Sequence, residues 1–212
     1  MNIELLAWSQ GPLVNGTQAQ PEEIAEVAGR TCYKSPVKDA EKRATFLRGI
    51  IKSGHESVIE HCTATIRITG ISRALTHQLV RHRLFSFSQQ SQRYVKENEA
   101  EYIIPNAIKT NPEACKKFND LMDKIWTTYR ELFDLGIKKE DCRAVLPNAA
   151  CTEIVVTGNF REWRHFIELR ADIHAQTEIR HLAHLIAHKL SEIAPNIFND
   201  QLERYADTDC EV

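Results

Sequence analysis

Between Cys62 and Thr69 apolar and polar residues alternate: Cys62, Ala64, Ile66 and Ile68 on one parity, Thr63, Thr65, Arg67 and Thr69 on the other. Side chains of an extended chain leave alternate faces, so this segment is a strand with one face buried and one wet, ended by Gly70. Cys151 to Thr157, rich in β-branched residues, is the second strand, and Ile3 to Trp8 is a short one. Most of the remaining chain carries helical spacing. Pro21 with Glu22 and Glu23 opens a helix whose acidic first turn suits the helix dipole, and a second runs from after Asp39 to Gly54. Ile71 to Leu84 reads as a helix with Ile71, Leu75 and Leu79 on one face and Arg73, His77 and Arg81 on the other. Asn111-Pro112 starts a long helix with Phe118, Leu121, Ile125 and Leu132 turned inward and Gly136 as its stop. A short helix covers Lys139 to Leu146, a Gly158-Asn159 break follows the second strand, and two final helices span Phe160 to Asp172 and Ala175 to Ala194. The expected class is α+β: one mostly helical domain, residues 1–212, with a small central sheet.

Lysines and arginines number 27 against 29 aspartates and glutamates, a net charge of −2. A balance of that sign offers no general attraction to nucleic acid or to an anionic membrane. No apolar run approaches the length that crosses a bilayer. Six scattered cysteines without a C-x-x-C pair, and an N-terminus without a leader pattern, predict free thiols in the cytoplasm.

Against that acidic balance, Arg81, His82 and Arg83 stand together, followed by Gln89, Gln90, Ser91, Gln92 and Arg93. Concentrated positive charge repels itself unless an anion offsets it. Arginine supplies planar, bidentate donors for phosphate, and serine hydroxyls complete such a cradle. The plain alternative is a helix end with basic residues favoured by the dipole. No glycine-rich phosphate loop and no nucleophile elbow occurs, so side chains must carry the binding. A second function class also uses this stretch: Phe85, Phe87 and Tyr94 interleaved with Arg81 to Arg93 resemble a stacking platform for single-stranded nucleic acid.

Two other clusters have competing readings. His181, His184 and His188 share one helical face opposite Ile179, Leu182, Ile186 and Leu190. They therefore face solvent or a partner, and without a carboxylate at metal-ligand spacing no metal is expected. Arg161, Arg164 and His165 are either part of a site or a wet face with Phe166 and Leu169 inward. Asn159 is a contact or a helix cap, and Arg170 either serves a ligand or pairs with a partly buried Asp172.

Four blocks in order resemble the flavin-dependent thymidylate synthases: His55-Glu56-Ser57-x-x-Glu60-His61; Arg81-His82-Arg83 with Ser91 and Arg93; Arg143-x-Val145-Leu146-Pro147; and Asn159-x-Arg161 through Leu169-Arg170-Ala171-Asp172-x-His174-Ala175. The resemblance runs from about residue 20 to 205. It implies reductive methylation of dUMP to dTMP, with 5,10-methylenetetrahydrofolate as one-carbon donor, and FAD reduced by NADPH as hydride source. It further implies a homotetramer with active sites between subunits. By the same resemblance FAD is held by His55, Ser57, Glu60, Arg81, His82, Arg83, Gln89, Asn159, Phe160, Arg161 and His165. The dUMP set is Gln78, Arg81, Gln89, Gln90, Ser91, Gln92, Arg93, Arg143 and Arg170, with Arg170 as the catalytic group that favours the N3-deprotonated pyrimidine. Gln89 stands where many members have glutamate, and His165 where some have asparagine.

Overall fold

The computed structural model describes residues 1–14, 17–95 and 101–208, so Cys210 lies outside the described residues. In chain order, β1 (Asn2–Trp8), β2 (Leu13–Val14) and β3 (Thr17–Gln18) precede α1 (Pro21–Cys32) and α2 (Ala40–Lys52). A 3-10 turn, Glu56–His61, leads into β4 (Thr63–Ser72), α3 (Arg73–Leu79) and β5 (Ser86–Gln89). Then come α4 (Asn106–Lys109), α5 (Pro112–Asp134), α6 (Lys139–Cys142), β6 (Cys151–Asn159), α7 (Phe160–Arg170), α8 (Thr177–Ser191) and α9 (Pro195–Tyr205). The expected mixture of many helices with a small central sheet is the observed one, joined by an unanticipated two-stranded ribbon of β2 and β3. The sheet has the order β1-β4-β6-β5, and every neighbouring pair is antiparallel.

Parity in β4 holds as read: Cys62, Ala64, Ile66 and Ile68 are buried, while Thr63 and Arg67 are exposed. Gly70 does not end the strand. It sits at φ 67° within a register shift between Ile68 and Ile71, after which pairing resumes as Ile71↔Thr152 and Ser72↔Cys151. A bulge adds a residue without terminating the ladder, and glycine adopts its left-handed backbone without Cβ strain.

The helix expected from Ile71 starts later and ends earlier, at Arg73 and Leu79. Ser72 caps it by accepting from the Leu75 amide at 3.0 Å. The buried Glu178 carboxylate in turn takes the Ser72 amide at 2.8 Å and its hydroxyl at 2.6 Å. That tertiary anchor outweighs the local apolar spacing, which is a weak determinant on its own.

Helix α5 turns Met122, Trp126 and Tyr129 to the interior, whereas Leu121 is exposed and Phe118, Ile125 and Leu132 are only half-buried. The expected face was one residue out of phase, because this helix has apolar residues on both sides of its buried seam. The Gly158-Asn159 break is absent: β6 runs through Asn159, whose side chain then accepts from the Glu162 amide at 2.9 Å and caps α7. Helix α9 was not anticipated, although Pro195 at its first position and Ile197, Phe198, Gln201 and Tyr205 on one buried face carry its signature. No described helix is long and apolar enough to cross a membrane.

Sheet register explains why distant motifs meet. Thr63 pairs with Asn159, so the turn 56–61 ends beside the start of α7. Ser86 pairs with Thr157, so Arg81 to Phe85 arrive at the same edge. Gln89 pairs with Ile154, three residues further along β6. At roughly 3.3 Å per residue, the chain after Gln89 emerges about 10 Å away along the sheet.

Candidate functional site

A cleft of about 1290 Å³ opens at that shared edge. Glu60, Arg81, His82, Arg83, Asn159, Arg161, His165 and Arg170 all line it. The sequence separates these residues by more than a hundred positions, and the strand pairing closes that gap.

The charges of the cleft divide into two classes. Arg161 pairs with Glu60 at 2.5 Å, which holds its guanidinium above the usual range. Arg204 pairs with Glu168 at 3.1 Å. Arg164 binds both oxygens of Asp200 at 2.7 Å, reaches Glu56 at 3.0 Å and donates to the Ile197 carbonyl. Burial alone would lower the Arg164 pKa, but the Asp200 and Glu56 pairs raise it. Arg81 and Arg83, by contrast, have no carboxylate partner among the described residues. Like Arg48 and Lys52 elsewhere on the lining, they carry positive charge that no carboxylate among the described residues cancels, and a diphosphate matches such charge.

Arg170 lies at the other end of α7. Its Nε donates to His82 Nε2 at 3.0 Å, and its Nη2 to the Gln78 carbonyl at 3.4 Å. Both acceptors are neutral. The expected pairing with Asp172 is not made, because Asp172 takes the His174 amide at 2.9 Å and the His174 ring at 2.8 Å. Burial and the neighbouring Arg81 lower the Arg170 pKa, yet a guanidinium remains charged at any working pH. His82 is pushed down to about 4 by burial, then by Arg170 and His165. Its ring packs on Phe166 at 5.0 Å and lies 6.0 Å from Phe85. It is therefore a neutral imidazole at pH 7, with the tautomer set by accepting at Nε2.

Gly158 belongs to this wall. A Cβ there would overlap the Phe85 ring, which stacks against Trp163 at 4.4 Å and so backs His82. Phe85 is buried in that cluster and Phe87 is half-buried. Phe85 is no platform for bases and Phe87 only partly one, so of the three aromatics in the nucleic-acid reading Tyr94 alone is exposed.

Other expected residues are placed differently. His55 and Ser57 are exposed beside the cleft, at the turn 56–61, but do not line it. Phe160 is fully buried, so its side chain is core. Gln89 donates to Thr76 at 3.0 Å and Thr152 at 3.4 Å. The wet-face reading of α7 fails for Arg164, which is buried, and for Leu169, which is half-exposed rather than inward. The histidine face of α8 is also corrected: His184 is buried and hydrogen-bonds Thr208 at 3.1 Å, while His188 is exposed. No group of three or more His, Cys, Asp or Glu suited to a metal occurs among the described residues.

A second cationic group forms on the far side of β5. Arg93 reaches Glu140 at 3.2 Å, and Arg143 donates to the Glu140 carbonyl at 3.2 Å. The Gln90 carbonyl accepts from Arg73 at 2.7 Å, and the Arg93 amide donates to the Ser91 hydroxyl at 3.3 Å. Gln78 stays beside Arg170, donating to Gln176 at 3.3 Å while its carbonyl accepts from Arg170. Within one protomer, then, most of the expected cofactor set converges on the cleft and most of the expected nucleotide set lies elsewhere.

Sequence reasoning missed Arg164 as a buried ion-pair hub and Asp200 as its partner. The signal lay in α9, whose pattern was not read. It also missed Leu84 and Leu169, the half- to fully exposed apolar rim of the cleft.

Residues 13–196 match the family model described as thymidylate synthase complementing protein. The chain is 45% identical to the flavin-dependent thymidylate synthase of Mycolicibacterium gilvum, covering 84% of this chain and 78% of that protein. Identity to the Corynebacterium efficiens protein of the same name is 45%, covering 88% and 82%. With the Mycobacterium tuberculosis protein it is 44%, covering 84% and 78%.

Proposed function

Because this chain belongs to the thymidylate synthase complementing protein family, whose relatives above are flavin-dependent thymidylate synthases, we propose that it methylates dUMP to dTMP with a bound FAD. The observation that carries the reading is the convergence of eight expected residues on one cleft, whose Arg81 and Arg83 have no carboxylate partner among the described residues. The donor set fits the cofactor: the Arg81 and Arg83 guanidiniums suit a diphosphate, and the exposed Leu84 and Leu169 on the cleft rim offer apolar surface to a flat ring. When bound and reduced by NADPH, FAD supplies the hydride, and 5,10-methylenetetrahydrofolate supplies the one-carbon unit.

In this reading Arg81, Arg83 and Arg161 orient the cofactor, with Asn159, His165 and Glu60 completing the wall and His55 and Ser57 at its margin. Ser91, Arg93 and Arg143, with Gln90 and Gln92, hold the nucleotide phosphate, and Gln78 and Gln89 its remaining edge. Arg170 is the catalytic group. A fixed positive charge against the uracil edge favours the N3-deprotonated ring and raises electron density at C5.

The separation of the Arg93–Arg143 group from the cleft supports a homotetramer in which one subunit's phosphate cradle completes another's cleft. The chain acts as one domain, in the cytoplasm. The test is direct: the purified protein shows a flavin spectrum, oxidises NADPH in the presence of dUMP, and forms dTMP when the folate is added. Protein that binds no FAD at saturation would sink the proposal.

A further inference from the structure

Among the described residues Arg170 is held without a carboxylate, and the manner of holding has a consequence for the reaction. A partner carboxylate would fix the guanidinium but cancel the charge that the proposed chemistry needs. A neutral ring nitrogen fixes it at no such loss. His82 meets that requirement: its Nε2 accepts the Arg170 Nε–H at 3.0 Å, while the Gln78 carbonyl takes Nη2 at 3.4 Å. Both bonds lie on one side of the fork, leaving Nη1 uncommitted among the described residues. The imidazole itself is fixed by an edge contact with Phe166 at 5.0 Å, and Phe166 is fully buried. His165, 6.3 Å away, presents a second ring on the same side.

We infer that His82 is a positioning residue for Arg170, orienting the guanidinium through Nε while leaving its charge and its outer N–H groups for the substrate. This rests on the function proposed above and adds to His82 a role distinct from contact with the cofactor. Its burial keeps the ring neutral, which the acceptor role requires.

Three variants test it: His82→Phe removes the acceptor and keeps ring volume, His82→Gln places an amide oxygen near the position of Nε2, and His82→Asn is polar but too short. Each is saturated with FAD and checked by its flavin spectrum before turnover is measured. We expect His82→Phe and His82→Asn to lower kcat about 100-fold, the scale on which misplacement of a catalytic group acts. His82→Gln recovers most of that loss, and the KM for dUMP changes far less than kcat. In an Arg170→Ala background, His82→Phe has no further effect, since residues acting as a unit are non-additive.

Full turnover by flavin-loaded His82→Phe overturns the inference. So does an equal loss in both backgrounds, or a loss of flavin that excess FAD fails to reverse, which would make His82 a cofactor ligand only. If His82→Phe does not fold, His82→Asn against His82→Gln carries the same comparison. Failure of the underlying function is a separate outcome, read from the unmodified protein as absent flavin or absent dUMP turnover.

Discussion

Helix α7 carries Arg164 near its middle and Arg170 at its last position, and the two have opposite surroundings. Arg164 is buried and cancelled, gripped by Asp200 and Glu56 and by the Ile197 carbonyl. Arg170, six residues on, has hydrogen-bond acceptors among the described residues in a neutral imidazole and a carbonyl, with the like-charged Arg81 nearby. The first arrangement joins three elements, the turn 56–61, α7 and α9, and uses its charge up in doing so. The second keeps its charge in a partly buried position, which costs solvation without a compensating ion pair. Expensive, uncancelled charge at the edge of a cleft points to work on a ligand, whereas cancelled charge points to architecture.

Substitution separates the two arginines. Arg170→Ala should lower kcat by about 10³, near 4 kcal/mol of barrier, the upper scale for losing one preorganised donor. Flavin content and the urea midpoint should barely change. A variant with full turnover would remove Arg170 from the chemistry, and one that unfolds would make both arginines structural. Arg164→Ala should behave in reverse. Removing one member of a buried pair costs 3–5 kcal/mol, and about 3 is expected here because the half-exposed Asp200 regains water. Urea unfolding gives the number, and a loss under 1 kcal/mol would erase the distinction between the two arginines.

How much of this contrast was legible beforehand differs between them. On the residues alone the Asn159 to Arg170 cluster reads as either site or structure, and the resemblance supplies the role of Arg170; what is local and legible is the Arg81 to Arg93 stretch, with arginines, hydroxyls and amides within a few positions. The β4 parity and the capped starts of α1, α2 and α5 were legible for the same reason, since each is written within one turn or one pleat. The Arg164 hub was not. Its partners Glu56 and Asp200 are 108 and 36 residues away, and nothing in a basic helix face says which cation a distant carboxylate will claim. Likewise, Glu178 fixes Ser72 across 106 residues and shortens α3 against its own apolar spacing. The out-of-phase reading of α5 has a different cause: with apolar residues on two faces, burial depends on which neighbour arrives.

The aromatic layer of Phe85, Trp163 and Phe166 packs along α7, and Gly158→Ala tests whether it couples the two arginines. The added Cβ must displace the Phe85 ring. Overpacking of this kind costs 1–3 kcal/mol, and we expect about 2, or a fall in Tm of about 4–8 °C. Turnover should fall as well, because Phe85 backs His82. A stable variant with unchanged activity would show that Phe85 moves freely and that the layer transmits nothing.

The smallest effect concerns the neutral ring itself. His82 ionises near 4 in the folded protein and near 6.5 in an unfolded chain. As pH falls through 6.5 the unfolded state takes up a proton that the folded state refuses, so stability declines from pH 6.5 to about 4 and this contribution then levels off. Arg170 and His165, the charged and titratable groups facing the ring, act in the same direction as its burial. The ring is only partly shielded, so solvent screening keeps the loss modest. His82→Phe lacks the ionisation altogether. Melting curves of both proteins at pH 7, 5.5 and 4.5 should therefore diverge, the unmodified protein losing more Tm on acidification than the variant. Parallel curves would mean that His82 accepts protons as readily folded as unfolded. In that case its Nε2 is not committed to Arg170, and the neutral setting of Arg170 would lose its defining feature.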